Sequence, residues 1–212
     1  MKLRFSITAK LIVGISVIIV AILINSYLIN KSLKRSREIN QKVSELYVPS
    51  AAELNNLYNM INQSKALIKN WVFIDEKEGT PDKKNLKQIH DKDFPELHRK
   101  IKDLAQKWEP EKQKKYNQIY TSIKDTLFEE HKEVMSSLNE FEDYNDPAIL
   151  FEVTPKVEYG GEIIVKSDKV LSQIKSLRDN IQQKVKNSRK EMNQSFSRFE
   201  RFITILGISL VL

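Results

Sequence analysis

The sequence predicts an all-α fold, an up-down-up-down four-helix bundle continuous with two transmembrane helices, and three observations carry that prediction. Five glycines and six prolines in 212 residues, with abundant Lys, Glu, Gln, Asn and Leu, favour long helices over sheet. No charged residue occurs between Lys10 and Lys31, and the apolar stretch opening at Leu11 is long enough, at ~1.5 Å per residue, to cross a hydrocarbon core of about 30 Å. In the middle of the chain, apolar residues recur at intervals of three and four, the spacing of one helix face.

Residues 1–10 are a basic tail and residues 11–30 the first transmembrane helix. A basic start followed by an apolar run also fits a cleaved signal peptide. Asn25-Ser26-Tyr27-Leu28 stands where a small-x-small cleavage site would be needed, which favours an uncleaved anchor. Residues 31–201 form the extramembrane domain. Its first helix carries the stripe Val43, Tyr47, Leu54, Leu57, Ile61, Ile68 and Trp71, with a kink or an unbroken restart at Pro49, and it ends in the turn from Asp75 to Pro81. The second helix runs from about Asp82 to Trp108 on Leu86, Ile89, Phe94, Leu97, Ile101 and Leu104, with Pro95 able to bend it.

The third helix restarts at Glu109-Pro110-Glu111, with proline in the first turn and carboxylates at the positive end of the helix dipole. It is expected to run to about Glu142 with Tyr116, Ile119, Ile123, Leu127, Val134, Leu138 and Phe141 facing inward, before a turn from Asp143 to Pro147. Residues 148–165 resist a plain helical reading, because Pro155 and Gly160-Gly161 sit among Val153, Val157, Tyr159 and Ile163. A β-hairpin and a loosened start of the fourth helix both fit, and the lack of a third strand favours the second. From Ser167 the heptad resumes through Leu171, Ile174, Ile181, Val185, Met192 and Phe199. It leads into residues 202–212, an apolar run about half a bilayer long that reads as the start of a second transmembrane helix cut in mid-span. Ser50, Ser64, Ser167 and Ser188 fall on or near the stripes and allow close helix approach.

The placement of charge excludes one class of partner. The net charge of +7 is supplied by residues 1–42 alone, where Lys2, Arg4, Lys10, Lys31, Lys34, Arg35, Arg37 and Lys42 stand against Glu38. Residues 166–201 are also basic, so 43–165 are net acidic. Cations that flank apolar runs and lack interleaved aromatics suit membrane lipid headgroups, and nucleic acid is not an expected partner. Taken literally, the basic residues beside the spans place the domain on the cytoplasmic side. That rule holds for short loops, however, and a tail with Lys2, Arg4 and Lys10 resists translocation, so the domain is expected outside.

Catalytic chemistry has little to work with. Cysteine is absent, which removes disulfides, thiolate metal sites and cysteine nucleophiles. His90, His98 and His131 stand in neither an HExxH nor an ExxH pairing and read as exposed helix-surface residues, so no metal or cofactor is expected. Glu129 and Glu130 read as a solvated face, and the visible residues are not expected to be an enzyme, although a longer parent could be a histidine kinase.

The entry Ser6-Ile-Thr-Ala-Lys-Leu-Ile-Val-Gly14, the segment Leu46-Tyr-Val-Pro-Ser-Ala-Ala-Glu-Leu-Asn-Asn-Leu57 and the return to an apolar run at Phe202 resemble the extracytoplasmic four-helix-bundle sensory module of bacterial chemoreceptors and sensor histidine kinases. The likeness covers essentially the whole chain and lies in architecture more than in fixed residues. It implies a signal-transduction receptor in the bacterial cytoplasmic membrane, of a kind used in chemotaxis. Its domain would face the periplasm or exterior, act as a homodimer, and bind a small molecule or a periplasmic protein. The competing reading is a membrane-tethered helical interaction or scaffold protein without signalling output; a HAMP-like linker after Leu212 would decide for the sensor. If a ligand site exists, the irregular segment after Val153 is the place for it. Tyr159 and Trp71 are its candidate aromatic walls, Gly160 and Gly161 its source of free backbone groups, and Arg178 its partner for a carboxylate.

Overall fold

The computed structural model describes residues 6–211, apart from the side chains of Lys10, Leu206 and residues 208–211. The tail positions Lys2 and Arg4 and the end of the second apolar run at Leu212 lie outside the described residues. The described chain is all-α, with no strand. Helix α1 spans Ile7–Lys42 and is followed by a π turn at Val43–Tyr47 and α2 at Val48–Phe73. After a turn come α3 at Pro81–Gln88, a π turn at Ile89–Asp93 and α4 at Phe94–Ala105. Then follow α5 at Pro110–Ser122, a π turn at Ile123–Leu127 and α6 at Phe128–Ser137. A 3-10 turn at Phe141–Asn145, α7 at Pro147–Val157 and α8 at Glu162–Val211 complete the order.

Proline places several of these boundaries. Pro49 and Pro95 are each the second residue of the α-helix that resumes after a π turn. Proline has no N–H to give to the carbonyl four residues back and its ring crowds that carbonyl, and a widened turn removes both conflicts without ending the helix. Pro81, Pro110 and Pro147 are first residues of α3, α5 and α7, where the missing N–H would be unpaired anyway. Thr80 Oγ1 accepts from the Lys83 N–H at 3.4 Å, and Asp146 Oδ1 from the Ala148 N–H at 2.8 Å, which fixes two of these starts.

Two sequence expectations need correction here. The third helical stretch ends at Ser137, because Leu138 leaves helical geometry at φ −121°, ψ 63° and Asp143 then accepts from the Asn139 and Glu140 N–H groups. Phe141, expected inward, is therefore out of phase with the core stripe and 49 % exposed. Residues 148–165 form neither a hairpin nor a loosened start of the fourth helix. They hold a separate helix, α7, which closes through Gly160 at φ +81° before α8 begins.

The chain divides into two compact units. In residues 46–183, α2 packs on α3, α4, α6 and α7, α4 on α5, and α6 on α7. Lys65–Asp168 at 2.6 Å and Arg178–Asn55 at 3.0 Å tie the first half of α8 to α2. Leu54, Ile61, Ile68, Leu86, Ile101, Ile123, Leu127, Leu138, Ile163, Ile174 and Ile181 are wholly buried in one core. The second unit combines residues 6–45 with 184–211, joined by the Arg35–Glu191 ion pair and by the Ser32 and Ser195 hydroxyls at 3.2 Å. Its N-terminal helix is long and apolar enough to cross a membrane, and the apolar stretch is uncovered.

Candidate functional site

The interior of residues 46–183 is not wholly apolar, and its polar groups mark the places worth testing for function. Three of the four serines on the stripes, Ser50, Ser64 and Ser167, are fully buried. Each hydroxyl donates to a carbonyl of its own helix, at Leu46, Ile61 and Ile163, between 2.6 and 2.9 Å. Ser50 Oγ also accepts from the Trp108 indole N–H at 2.9 Å. These hydroxyls are satisfied and structural.

The histidines are a different matter, and the expectation that all three lie on exposed helix surface is overturned: His98 is half-buried, and the pair His90 and His131 lies in the interior. His131 is completely buried and His90 nearly so. His131 stands four residues after Leu127 and three before Val134, and His90 four after Leu86 and four before Phe94. The core spacing therefore already included both positions. His90 lies in the second π turn, and its ring stacks on Phe128 with centroids 3.9 Å apart. Phe128 itself directly follows the third π turn, so both widened turns border this pair. His90 Nε2 and His131 Nδ1 are 3.2 Å apart.

Only one hydrogen can lie between those two nitrogens, so one ring donates and the other accepts. The remaining nitrogens, His90 Nδ1 and His131 Nε2, find no hydrogen-bond partner among the described residues. Such a half-satisfied pair costs on the order of 1–3 kcal/mol per orphaned group. Burial holds His90 down at about 4, with Lys132 adding to the effect and Glu129 opposing it. Burial holds His131 well below the ordinary imidazole range, and His90 adds to this. The pair is accordingly neutral near pH 7. Below it, His98 Nδ1 meets the Tyr116 hydroxyl at 2.8 Å and stacks on Tyr120 at 3.8 Å. Among the described residues no group of three or more His, Asp or Glu could hold a metal ion.

A second polar feature lies at Lys83, which the sequence alone left unnoticed. Its side chain is buried and its Nζ has no hydrogen-bond partner among the described residues. Instead it faces the rings of Trp71 and Tyr144, each with its centroid 4.9 Å away. The π faces replace water for the ammonium. Burial lowers the Lys83 pKa and the nearby Asp75 carboxylate opposes the shift. Trp71 Nε1–H donates to the Leu138 carbonyl at 2.8 Å, and the Tyr144 hydroxyl donates to the Trp71 carbonyl at 2.7 Å, so the cage is anchored to the turn after α6.

The residues proposed from sequence as a ligand site do not converge. Trp71 is buried in this cage, whereas Tyr159 is fully exposed and walls nothing with it. The Gly161 N–H donates to the Glu158 carbonyl and the Gly161 carbonyl accepts from Val165, both at 2.9 Å, so these backbone groups are engaged inside the turn. A Cβ at Gly161 would meet the Pro155 carbonyl oxygen at 2.3 Å, which gives the glycine a packing reason. Arg178 donates to Asn55 and Asp179 and lies over the Tyr58 ring. Comparison with family models, curated proteins and solved structures finds no match to this chain.

Proposed function

We propose that the chain is the ligand-sensing portion of a membrane-bound signal-transduction receptor. On this reading, residues 46–183 are the core of an up-down-up-down four-helix bundle outside a bacterial cytoplasmic membrane, working as a homodimer. A stimulus passes through two membrane helices to an output domain of the chemoreceptor or histidine-kinase type. The observation that carries the reading is the uncovered apolar helix: from Leu11 to Ile24 every Leu, Ile and Val is 44–64 % exposed, whereas residues 46–183 enclose a core of fully buried apolar side chains. Uncovered aliphatic surface of that length is stable in hydrocarbon and costly in water. The half-satisfied histidine pair and the caged lysine further support sensing over mere tethering, because a spacer has no need of destabilising ionisable groups in its interior.

A chimera tests this. With a histidine-kinase output module fused in helical phase after residue 211, the reading expects autophosphorylation to depend on the phase of the junction, rising and falling as one to four alanines are inserted. Activity indifferent to phase would favour the tether. An alkaline-phosphatase fusion near Asn145 should be active; an inactive fusion there would reverse the topology.

A further inference from the structure

We infer that the unit formed by residues 6–45 and 184–211 holds a binding site for one anionic phospholipid, in a groove of about 650 Å³. The inference rests on the membrane reading above and adds the ligand class and the residues. Lys31, Ser32, Arg35, Ser195 and Arg198 form the polar wall, and Leu28, Phe199 and Phe202 the apolar one. A lining divided in this way fits an amphiphile better than a free ion, because a phosphate and an acyl chain each find their own surface.

The electrostatics favour an anion. Three cations face the groove against the single carboxylate of Glu191, and that carboxylate is already engaged by Arg35 in an ion pair. Lys31 and Arg198 are left to meet a phosphate diester. The two serines add a donor: Ser32 and Ser195 are 3.2 Å apart, so one hydroxyl hydrogen is used between them and the other is free to point at a phosphate oxygen. The position follows from the sequence as well. Leu28 lies in the last turn of the uncharged run that begins after Lys10, and Lys31 is the first cation beyond that run, so on the membrane reading the polar wall begins where hydrocarbon gives way to headgroups.

The test uses the whole chain purified in detergent and native mass spectrometry with two added lipids, dioleoyl phosphatidylglycerol and dioleoyl phosphatidylcholine. One phosphatidylglycerol should be retained per chain in preference to phosphatidylcholine. Lys31→Gln with Arg198→Gln should weaken that retention on the order of twentyfold, from about fivefold for each surface cation lost. Lys186→Gln with Arg189→Gln removes equal charge outside the groove and should change it little. Equal weakening by both pairs, or retention by neither protein nor variants, overturns the site. Competition by glycerophosphoglycerol or inorganic phosphate as strong as by the intact lipid shows a phosphate site without an acyl subsite and overturns the lipid assignment. A dimer that forms while excluding lipid assigns the groove to a second copy and also overturns it. Carbonate extraction of membranes is run in parallel. If it releases the chain, the membrane reading fails by itself, whereas a retained chain without selective lipid binding sinks only this proposal.

Discussion

The two compact units of this chain bury opposite things. In residues 46–183 aliphatic side chains such as Leu54, Ile61 and Ile174 are fully covered and charges lie outside, with Lys83 the exception. In the unit built from both ends, the aliphatic side chains from Leu11 to Ile24 face outward, while Ser32 and Ser195 meet between the helices. The same helical backbone serves both, so the difference lies in the surroundings each pattern suits. One is stabilised by water excluded from its interior, and the other has the pattern that hydrocarbon around its exterior would stabilise. Substitutions that act on one pattern and spare the other are the sharpest tests of this contrast.

The largest effect is expected at Trp71. Its ring is buried, its N–H bonds Leu138 and its face holds the Lys83 ammonium, so Trp71→Ala removes core volume, takes from Lys83 one of its two aromatic faces and leaves the Leu138 carbonyl only the Tyr144 hydroxyl at 3.4 Å. A loss of ~3–5 kcal/mol is expected for residues 46–183. Denaturant unfolding of the whole chain in micelles, followed by far-UV circular dichroism, measures it. A change under about 1 kcal/mol would remove the lysine cage from the account of stability.

Next comes the histidine pair, through pH. Both folded-state values lie below that of a free imidazole, so as pH falls the unfolded chain takes up protons before the folded one does. Stability is therefore full above about pH 6.5 and declines toward about pH 4, with His90 alone accounting for about 3 kcal/mol. His90→Leu combined with His131→Leu should flatten that slope. A wild-type chain with no decline between those values would show that the two rings are accessible to water.

Substitution in the other unit should leave this untouched. Ile18→Asp places a charge near the middle of the uncovered run, at a cost of about 2.5 kcal/mol for insertion into a bilayer. The membrane-bound fraction should fall, while the unfolding midpoint of residues 46–183 stays where it was. If instead that midpoint moved and the membrane-bound fraction did not, the apolar face would be covered by protein.

Much of this contrast was legible in residue order, because periodicity reports which face is covered whatever covers it. Leu54, Ile61, Ile68, Ile101 and Ile174 were all readable as core from spacing. The burial of Lys83 and His131 was missed because their residue types argue for the surface, although the spacing of His131 from Leu127 and Val134 already placed it on the core stripe. Phe141 failed for the reverse reason: its spacing fits the stripe, but the helix had already ended at Ser137, and a boundary is set by local hydrogen bonding from Asp143 that periodicity does not report. Spacing does not report whether the candidate ligand residues meet, because a site is a convergence in space. Trp71 and Tyr159 have equally suitable rings, yet one is in the core and the other in the open.

The smallest expected effect is at Tyr159, and its smallness makes it useful. The ring is fully exposed and makes no hydrogen bond among the described residues, so Tyr159→Ser should shift the unfolding free energy by no more than about 0.5 kcal/mol. Gly161→Ala is a poorer probe of the same segment, because its new Cβ would clash with the Pro155 carbonyl and confound any functional loss with misfolding. Tyr159→Ser separates the two. Measured in the kinase chimera, an altered output with an unchanged unfolding midpoint would assign the exposed ring to recognition of a ligand or a partner. An unchanged output with an unchanged midpoint would withdraw the turn after α7 from the sensing surface. On the sensing reading, the buried His90–His131 pair and the Lys83 cage would then be the next places in residues 46–183 to test.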